Sequence, residues 1–302
     1  MGAFIITVDT EGDNLWAYHQ GDMITTHNAR YIPKFQQQCE SFGFKPVYLV
    51  NYEMLCDEEF VTYVRDKQLQ GLCEVGLHLH AWNTPPIYAL EAKYGSNPYL
   101  LEYPQKIMYE KFDVLYKLFC QKIGCKPISH RAGRWAMNGV YFELLQSYGI
   151  AVDCSVTPGI DWSCVKGANM GGSDYSKSPK SAHYVGSVLE VPHTVKKSHK
   201  PLCGSLKHKL KTLLCGENLQ LRPAVFSFEQ MAEVVNMAQK GNDDYIEFMI
   251  HSSELMLGAS PYAIDQNGVD KITEKIESIF AYVKSKGYVG KTLAEYYNSK
   301  RG

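Results

Sequence analysis

The sequence predicts an α/β protein on a parallel sheet, either a barrel or a large open sheet, and three observations carry this. Short β-rich runs alternate with longer runs of helical pattern, an order that implies parallel strands joined by right-handed helical crossovers. The strand candidates number seven, too many for a small open-faced module. Chemically capable side chains follow the apolar runs, as they do when the loops at the C-terminal ends of parallel strands carry function.

In chain order the strand candidates are FIITV (4–8), PVYLV (46–50), CEVGLHL (73–79), PISH (127–130), IAVDC (150–154), VLEVP (188–192) and YIEFMIH (245–251). Helical patterns fill the intervals at 28–44, 58–69, 103–124, 138–149, 226–241 and 269–287. Residues 160–222 break the rhythm, with a Gly/Ser-rich stretch GANMGGSDYSKSPKS followed by the basic KKSHKPLCGSLKHKLKTLL, which carries six lysines. We read 1–302 as a single domain with an insertion or lid at about 160–222. A lysine run is ordinarily a solvated helix face. Its functional reading is a lid that contacts phosphate on a nucleotide-linked or lipid-linked substrate, with weak membrane-surface contact through the 196–211 basic segment.

At 302 residues and 45% hydrophobic content, the chain can bury one sizeable core. The formal net charge of -1 gives no global field for nucleic acid or a membrane, and nucleic acid is excluded as a partner. The N-terminal apolar run meets acids at once, which reads as a strand rather than a signal peptide. No stretch approaches the roughly 20 apolar residues of a spanning helix. The nine cysteines form no CxxC pair and are odd in number, so reduced thiols and a cytoplasmic location are expected.

Asp9, Glu11 and Asp13 follow the first strand, and residues two apart in extended chain share a face. Carboxylates so close need a cation or a shared proton. The HxH of GLHLHAWN likewise sets His78 and His80 on one face at a strand end, and two imidazoles plus a carboxylate form a ligand set for catalytic Zn²⁺. His130, Arg131 and Arg134 follow the fourth strand, Asp153 the fifth, His193 the sixth and His251 the seventh.

In their order along nearly the whole chain, VDTEGD, GLHLHAW, SHRAGRW, VDCSVTPG, FMIHSSEL and GYVGKTLAEYY resemble the motifs of the polysaccharide deacetylases of the NodB-homology group, carbohydrate esterase family 4. Within it the resemblance is to the WalW and WbmS-like branch, found with surface-polysaccharide and O-antigen genes. The resemblance implies a deformed (β/α)7 barrel and a metal-dependent hydrolase that removes an acetyl or formyl group from an amino sugar in a bacterial surface-polysaccharide precursor. By it, Asp9 is the general base, Arg131 holds Asp9 ionised, His251 is the general acid and Asp153 orients His251. His78, His80 and either Glu11 or Asp13 hold the divalent metal, with Zn²⁺ the leading ion. Trp82 and Trp135 are candidates for a sugar platform, and Arg134 and His193 for substrate contacts; His130 is read as structural.

Two departures from the family pattern bear on the metal. Thr10 separates Asp9 from Glu11 where the family has adjacent aspartates. Position 82 is Trp where the family has its second histidine, so either His80 replaces it or the site has one imidazole. The competing readings are a metal-independent amidase on a small amide and a non-catalytic carbohydrate-binding protein.

Overall fold

The computed structural model describes every residue except Met1, Gln20, Ser96 and Gly302. Its strands are β1 (Ala3–Thr10), β2 (Pro46–Val50), β3 (Glu74–Leu79), β4 (Ser129–Ala132), β5 (Val152–Asp153), β6 (His183–Val185), β7 (Val188–Glu190), β8 (Val195–Ser198), β9 (Glu217–Gln220), β10 (Tyr245–His251) and β11 (Val289–Gly290). Its helices are α1 (Ile32–Phe42), α2 (Tyr52–Cys56), α3 (Glu58–Leu69), α4 (Gln105–Ile123), α5 (Gly139–Ser147), α6 (Leu206–Cys215), α7 (Phe228–Lys240), α8 (Gln266–Ser285) and α9 (Leu293–Arg301).

All seven apolar runs become strands of one curled sheet in the order β10-β1-β2-β3-β4-β5-β7, parallel throughout. β6 adds antiparallel to β7, and β11 pairs with β1. Among the described residues no ladder joins β7 to β10. The opening is bridged by the chain leaving β7, where Tyr245 Oη donates to Pro192 O at 2.6 Å and Glu247 N–H donates to Thr194 Oγ1 at 2.8 Å. The barrel is therefore deformed, as the resemblance implied.

Helix ends follow local chemistry. Asp57 accepts from Phe60 N–H to cap α3, whose first turn carries Glu58 and Glu59, and Gly43 ends α1 in the left-handed region with φ 76°.

Residues 160–222 are not one continuous excursion, which corrects the expected insertion. β7 lies inside that range and is a strand of the main sheet, so two excursions flank it. The first folds over the cavity with Trp162 and Ala168; the second forms the β8–β9 hairpin carrying α6.

Strand alternation sorts the side chains into two layers. Phe4, Ile6 and Val8 of β1 face the helices, in a core that includes Phe112, Leu145, Val234 and Phe280. Ala3 and Ile5 face the interior, where Tyr245, Leu293 and Tyr296 close the bottom of the barrel. The same parity continues upward through Thr7 to Asp9.

Phe280 of α8 lies 5.2 to 5.7 Å from the ring centres of Phe248, Phe44 and Phe4. It is fully buried, so Phe280→Ala leaves a cavity between α8 and the sheet. We expect it to lower unfolding stability by about 3–5 kcal/mol in urea titration; a loss below about 1 kcal/mol would show that α8 is not locked to the sheet by this ring.

Candidate active site

Inside the barrel, above the apolar floor, lies an ionic layer. Arg131, on the interior face of β4, has no solvent exposure. Its Nη1 donates to Asp9 Oδ1 at 2.6 Å, its Nη2 to Glu247 Oε1, and its Nε to Cys154 O at 3.2 Å. Thr7 Oγ1 also donates to Glu247 Oε1 at 2.7 Å. Burial pushes the Asp9 carboxyl up, but the Arg131 guanidinium, with His78 and His251, brings it below its usual value. Glu247 is likewise lowered against burial, by Arg131 and His193.

One layer higher, Glu11, His78 and His80 converge. Glu11 Oε2 lies 2.6 Å from His80 Nε2 and 3.6 Å from His78 Nε2, and the two Nε2 atoms are 3.0 Å apart. Donors placed 2.0–2.1 Å from a tetrahedral ion are roughly 3.3 Å apart, so these separations suit one. Glu11 Oε2 is buried without a hydrogen-bond partner. His78 Nδ1 faces Arg131 O at 3.0 Å, so its N–H donates there and the Nε2 lone pair points at the cluster. The residues present fit a divalent metal.

Burial pushes the Glu11 carboxyl up, yet the adjacent His80 and His78 imidazoles hold it well below its usual range. Its backbone is fixed too, since Asn28 Nδ2 donates to Glu11 O at 2.7 Å and Glu11 N–H to Ser252 Oγ at 3.1 Å. Gly133 is required beside His80. A Cβ there would meet Leu79 O at 2.5 Å and His80 Nδ1 at 2.9 Å.

His251, ending β10, closes the group. Its Nε2 is 3.9 Å from Asp9 Oδ2 and 3.9 Å from Glu11 Oε1, while its Nδ1 lies 3.2 Å from Glu254 Oε1. Burial lowers its pKa, but Glu254, Glu11 and Asp9 together raise it above the usual histidine value. Trp16 sets its ring edge-on to His251 at 5.0 Å and donates from Nε1 to Ser253 Oγ at 3.0 Å.

These groups form the floor of a cavity of about 750 Å³ whose walls include Trp16, Trp82, Trp135, Trp162 and Tyr262. Trp82 stands 4.3 Å from the His80 ring, with its Nε1 buried and unpartnered. Trp135 lies over the Arg131 guanidinium at 4.8 Å. It and Arg134 are consecutive residues at φ 61° and 57°, a strained turn of the kind that persists where surrounding contacts over-determine it.

Several expected roles are corrected. Asp153 does not reach His251. Alternation puts Val152 and Cys154 inside and Asp153 on the helix side, where His130 Nδ1 lies 2.7 Å from its Oδ1 and His130 Nε2 is 2.9 Å from Tyr141 Oη. Glu254 holds His251 instead. Asp13 leaves the acid group because β1 ends at Thr10 and the two-residue period lapses; its carboxylate accepts from Thr25 Oγ1 and from Asn28 N–H at 3.3 Å. Among the acids it is Glu11 that joins the histidines. His193 is buried beneath Trp135, at 5.6 Å, with its Nδ1 3.2 Å from Glu247 Oε2, so it braces the ionic layer rather than facing the cavity. Arg134 lines the cavity, but it donates to Asn97 O and to Lys166 O and lies 4.1 Å over Tyr99, tying two loops together.

Sequence reasoning passed over Glu247, Glu254 and Trp16. A lone acid within the apolar YIEFMI, two residues from the interior parity of Met249 and four from His251, was a visible signal for Glu247. Glu254 stands three residues after His251 and accepts His251 N–H at 3.2 Å, as a capping acid does. Trp16 had no local signal.

No family model matches the chain, and no curated protein matches it. Solved structures match in fold. A candidate glycoside hydrolase/deacetylase from Parabacteroides distasonis gives a TM-score of 0.65 at 12% identity, covering 99% of this chain and 71% of that one. A GH57 branching enzyme from Thermococcus kodakaraensis gives 0.55 at 11% identity, covering 98% and 71%. A 4-alpha-glucanotransferase from Thermococcus litoralis gives 0.54 at 12% identity, covering 99% and 38%. At these identities the likeness is one of fold. The chain has the curled parallel sheet of the (β/α)7 barrels of NodB-homology type.

Gly133→Ala should displace the His80 ring and weaken Zn²⁺ binding roughly 10- to 100-fold in competition with a chromophoric chelator. Unchanged affinity would show that His80 is not held against Gly133.

Proposed function

We propose that this protein is a metal-dependent hydrolase that removes an N-acyl group, acetyl or formyl, from an amino sugar. The observation that carries the reading is the meeting of Arg131-paired Asp9, Glu254-paired His251 and the Glu11–His78–His80 donor set on the floor of one aromatic-walled cavity. Glu11, His78 and His80 would hold a divalent ion, Zn²⁺ by preference, which when bound would supply positive charge for polarising an acyl carbonyl and lowering the pKa of water.

Asp9, kept ionised by Arg131, takes the proton of the attacking water. His251, whose pKa Glu254 raises, delivers a proton to the leaving amine. The cavity's tryptophans offer flat apolar surfaces that suit the C–H faces of a sugar ring. Trp82 and Trp135 serve as that platform.

The folds matched above include glycoside-processing enzymes, and the site separates the two chemistries. Canonical glycosidic cleavage needs one carboxylic acid kept protonated beside a second carboxylate. Asp9 and Glu11, the acids lining this cavity, are both held below their usual values. Glu53, raised to about 7 by burial, holds Asn83 and does not line it. The convergence of Glu11, His78 and His80, a donor set that glycosidic cleavage does not call for, sets the site apart. The site favours amide hydrolysis.

The substrate we propose is a nucleotide-linked or lipid-linked precursor of a bacterial surface polysaccharide, by the likeness of the motifs to the WalW and WbmS-like branch. The nine unpaired cysteines support a reducing, cytoplasmic setting. No helix among the described residues is long and apolar enough to cross a membrane. A single domain over 1–302 is part of this reading.

Amine release from N-acetyl and N-formyl amino sugars linked to nucleotide or polyprenyl diphosphate tests the function. Asp9→Asn should lower kcat/KM about 10²- to 10⁴-fold without changing the fold. Retained activity would remove Asp9 as the base, and activity unaffected by chelator would favour a metal-independent amidase. Absence of turnover with saturable sugar binding would favour a carbohydrate-binding protein.

Glu254 raises the pKa of His251, and the acid form of His251 is lost as pH climbs through that value. Glu254→Gln should therefore move the alkaline limb of the kcat/KM profile to lower pH. A limb left in place would exclude His251 as the acid.

A further inference from the structure

Helix α6 is amphipathic in the reverse sense for a packed helix. Leu206, Leu210, Leu213 and Leu214 stand at the i, i+4, i+7, i+8 positions of one face, and they are 85%, 57%, 56% and 71% exposed. The opposite side, which packs on the body, is polar. Thr212 is buried there, and His208 Nε2 lies 3.5 Å from Glu217 Oε2. Lys207 and Lys211 flank the leucine face on one side and Lys209 on the other, all three exposed, and the helix contains no Asp or Glu. Ser205 caps its start, accepting from His208 N–H at 3.3 Å.

An apolar face exposed to water with cations on both rims is the pattern of a helix lying in the interface of an anionic bilayer. We propose that α6, carried out from the barrel on the β8–β9 hairpin, docks the protein on an anionic lipid surface, with its leucines entering the acyl boundary and its lysines on the headgroup phosphates. Charge decides this occupant over a second copy of the chain. A symmetric pairing of two α6 faces would set lysine rims against lysine rims with no acid on either helix. A helix of 10 residues is also only about 15 Å long, too short to supply the roughly 1,200 Å² of a stable interface by itself. The leucines in turn separate the surface from a site for soluble phosphate, which has no use for an apolar stripe.

The inference is independent of the reaction proposed above, because binding is read without substrate. The full chain is sedimented with vesicles of phosphatidylcholine alone and of phosphatidylcholine mixed with phosphatidylglycerol. The expected result is partition onto the anionic vesicles only, weakening as salt rises. Leu210→Ser with Leu214→Ser should reduce that partition at least about tenfold, and each Lys→Glu change at 207, 209 or 211 at least about fivefold. All of these variants leave Thr212 and His208 in place, and an unchanged far-UV spectrum and thermal midpoint confirm the fold.

Failure of the parent to bind anionic vesicles would overturn the proposal, as would equal binding by the leucine variant. A concentration-dependent dimer in light scattering that the leucine variant abolishes, with no vesicle binding, would assign the face to a second copy instead.

Discussion

The guanidinium of Arg131 sits inside the barrel with no solvent exposure, and a buried cation persists only when it is neutralised and hydrogen-bonded. Asp9 from β1 and Glu247 from β10 supply two charges, Cys154 O a further acceptor. The triad thereby ties three strands across the barrel interior. It also sets the layer above it. Asp9 is ionised because Arg131 is beside it, and the carbonyl of Arg131 orients His78 by accepting from Nδ1. Removing the arginine would leave two acids buried in apolar surroundings, a loss of roughly 3–5 kcal/mol by the cost of breaking buried pairs.

Vertical order inside the barrel follows from strand parity. On β1, Ala3 and Ile5 meet the apolar floor, Thr7 the ionic layer and Asp9 the cavity. On β10, Tyr245, Glu247, Met249 and His251 share the inward parity and pair in register with Ala3, Ile5, Thr7 and Asp9. Thus one two-residue period positions a floor, a charge support and a reactive pair. His193, on the chain that crosses from β7 toward β10, packs beneath Trp135.

The strands and long helices were legible because periodicity is local. The run 58–69 became a helix with those bounds, and each apolar run became a strand. The HxH pair was legible for the same reason, since His80 keeps the interior parity of His78 one residue past the end of β3. Asp13 and Asp153 were misread where a period was extended past its range or read without its phase. Asp13 lies beyond the end of β1, and Asp153 lies on the outer face, where it serves His130. Glu254 stands at capping-acid spacing from His251, a pattern that needs the end of β10 to be read, whereas Trp16 reaches His251 through a turn whose geometry no pattern of residue types encodes. Trp82 packs on the donor set, its ring 4.3 Å from that of His80.

The donor set of Glu11, His78 and His80 is the feature on which the catalytic reading turns, and metal stoichiometry tests it most directly. Purified protein, reconstituted with Zn²⁺ and freed of excess, is compared by elemental analysis with a His78→Ala, His80→Ala double variant. About one equivalent in the parent and almost none in the variant is the expected result for a three-ligand site. An absence of bound metal in the parent, or equal content in the variant, would contradict it.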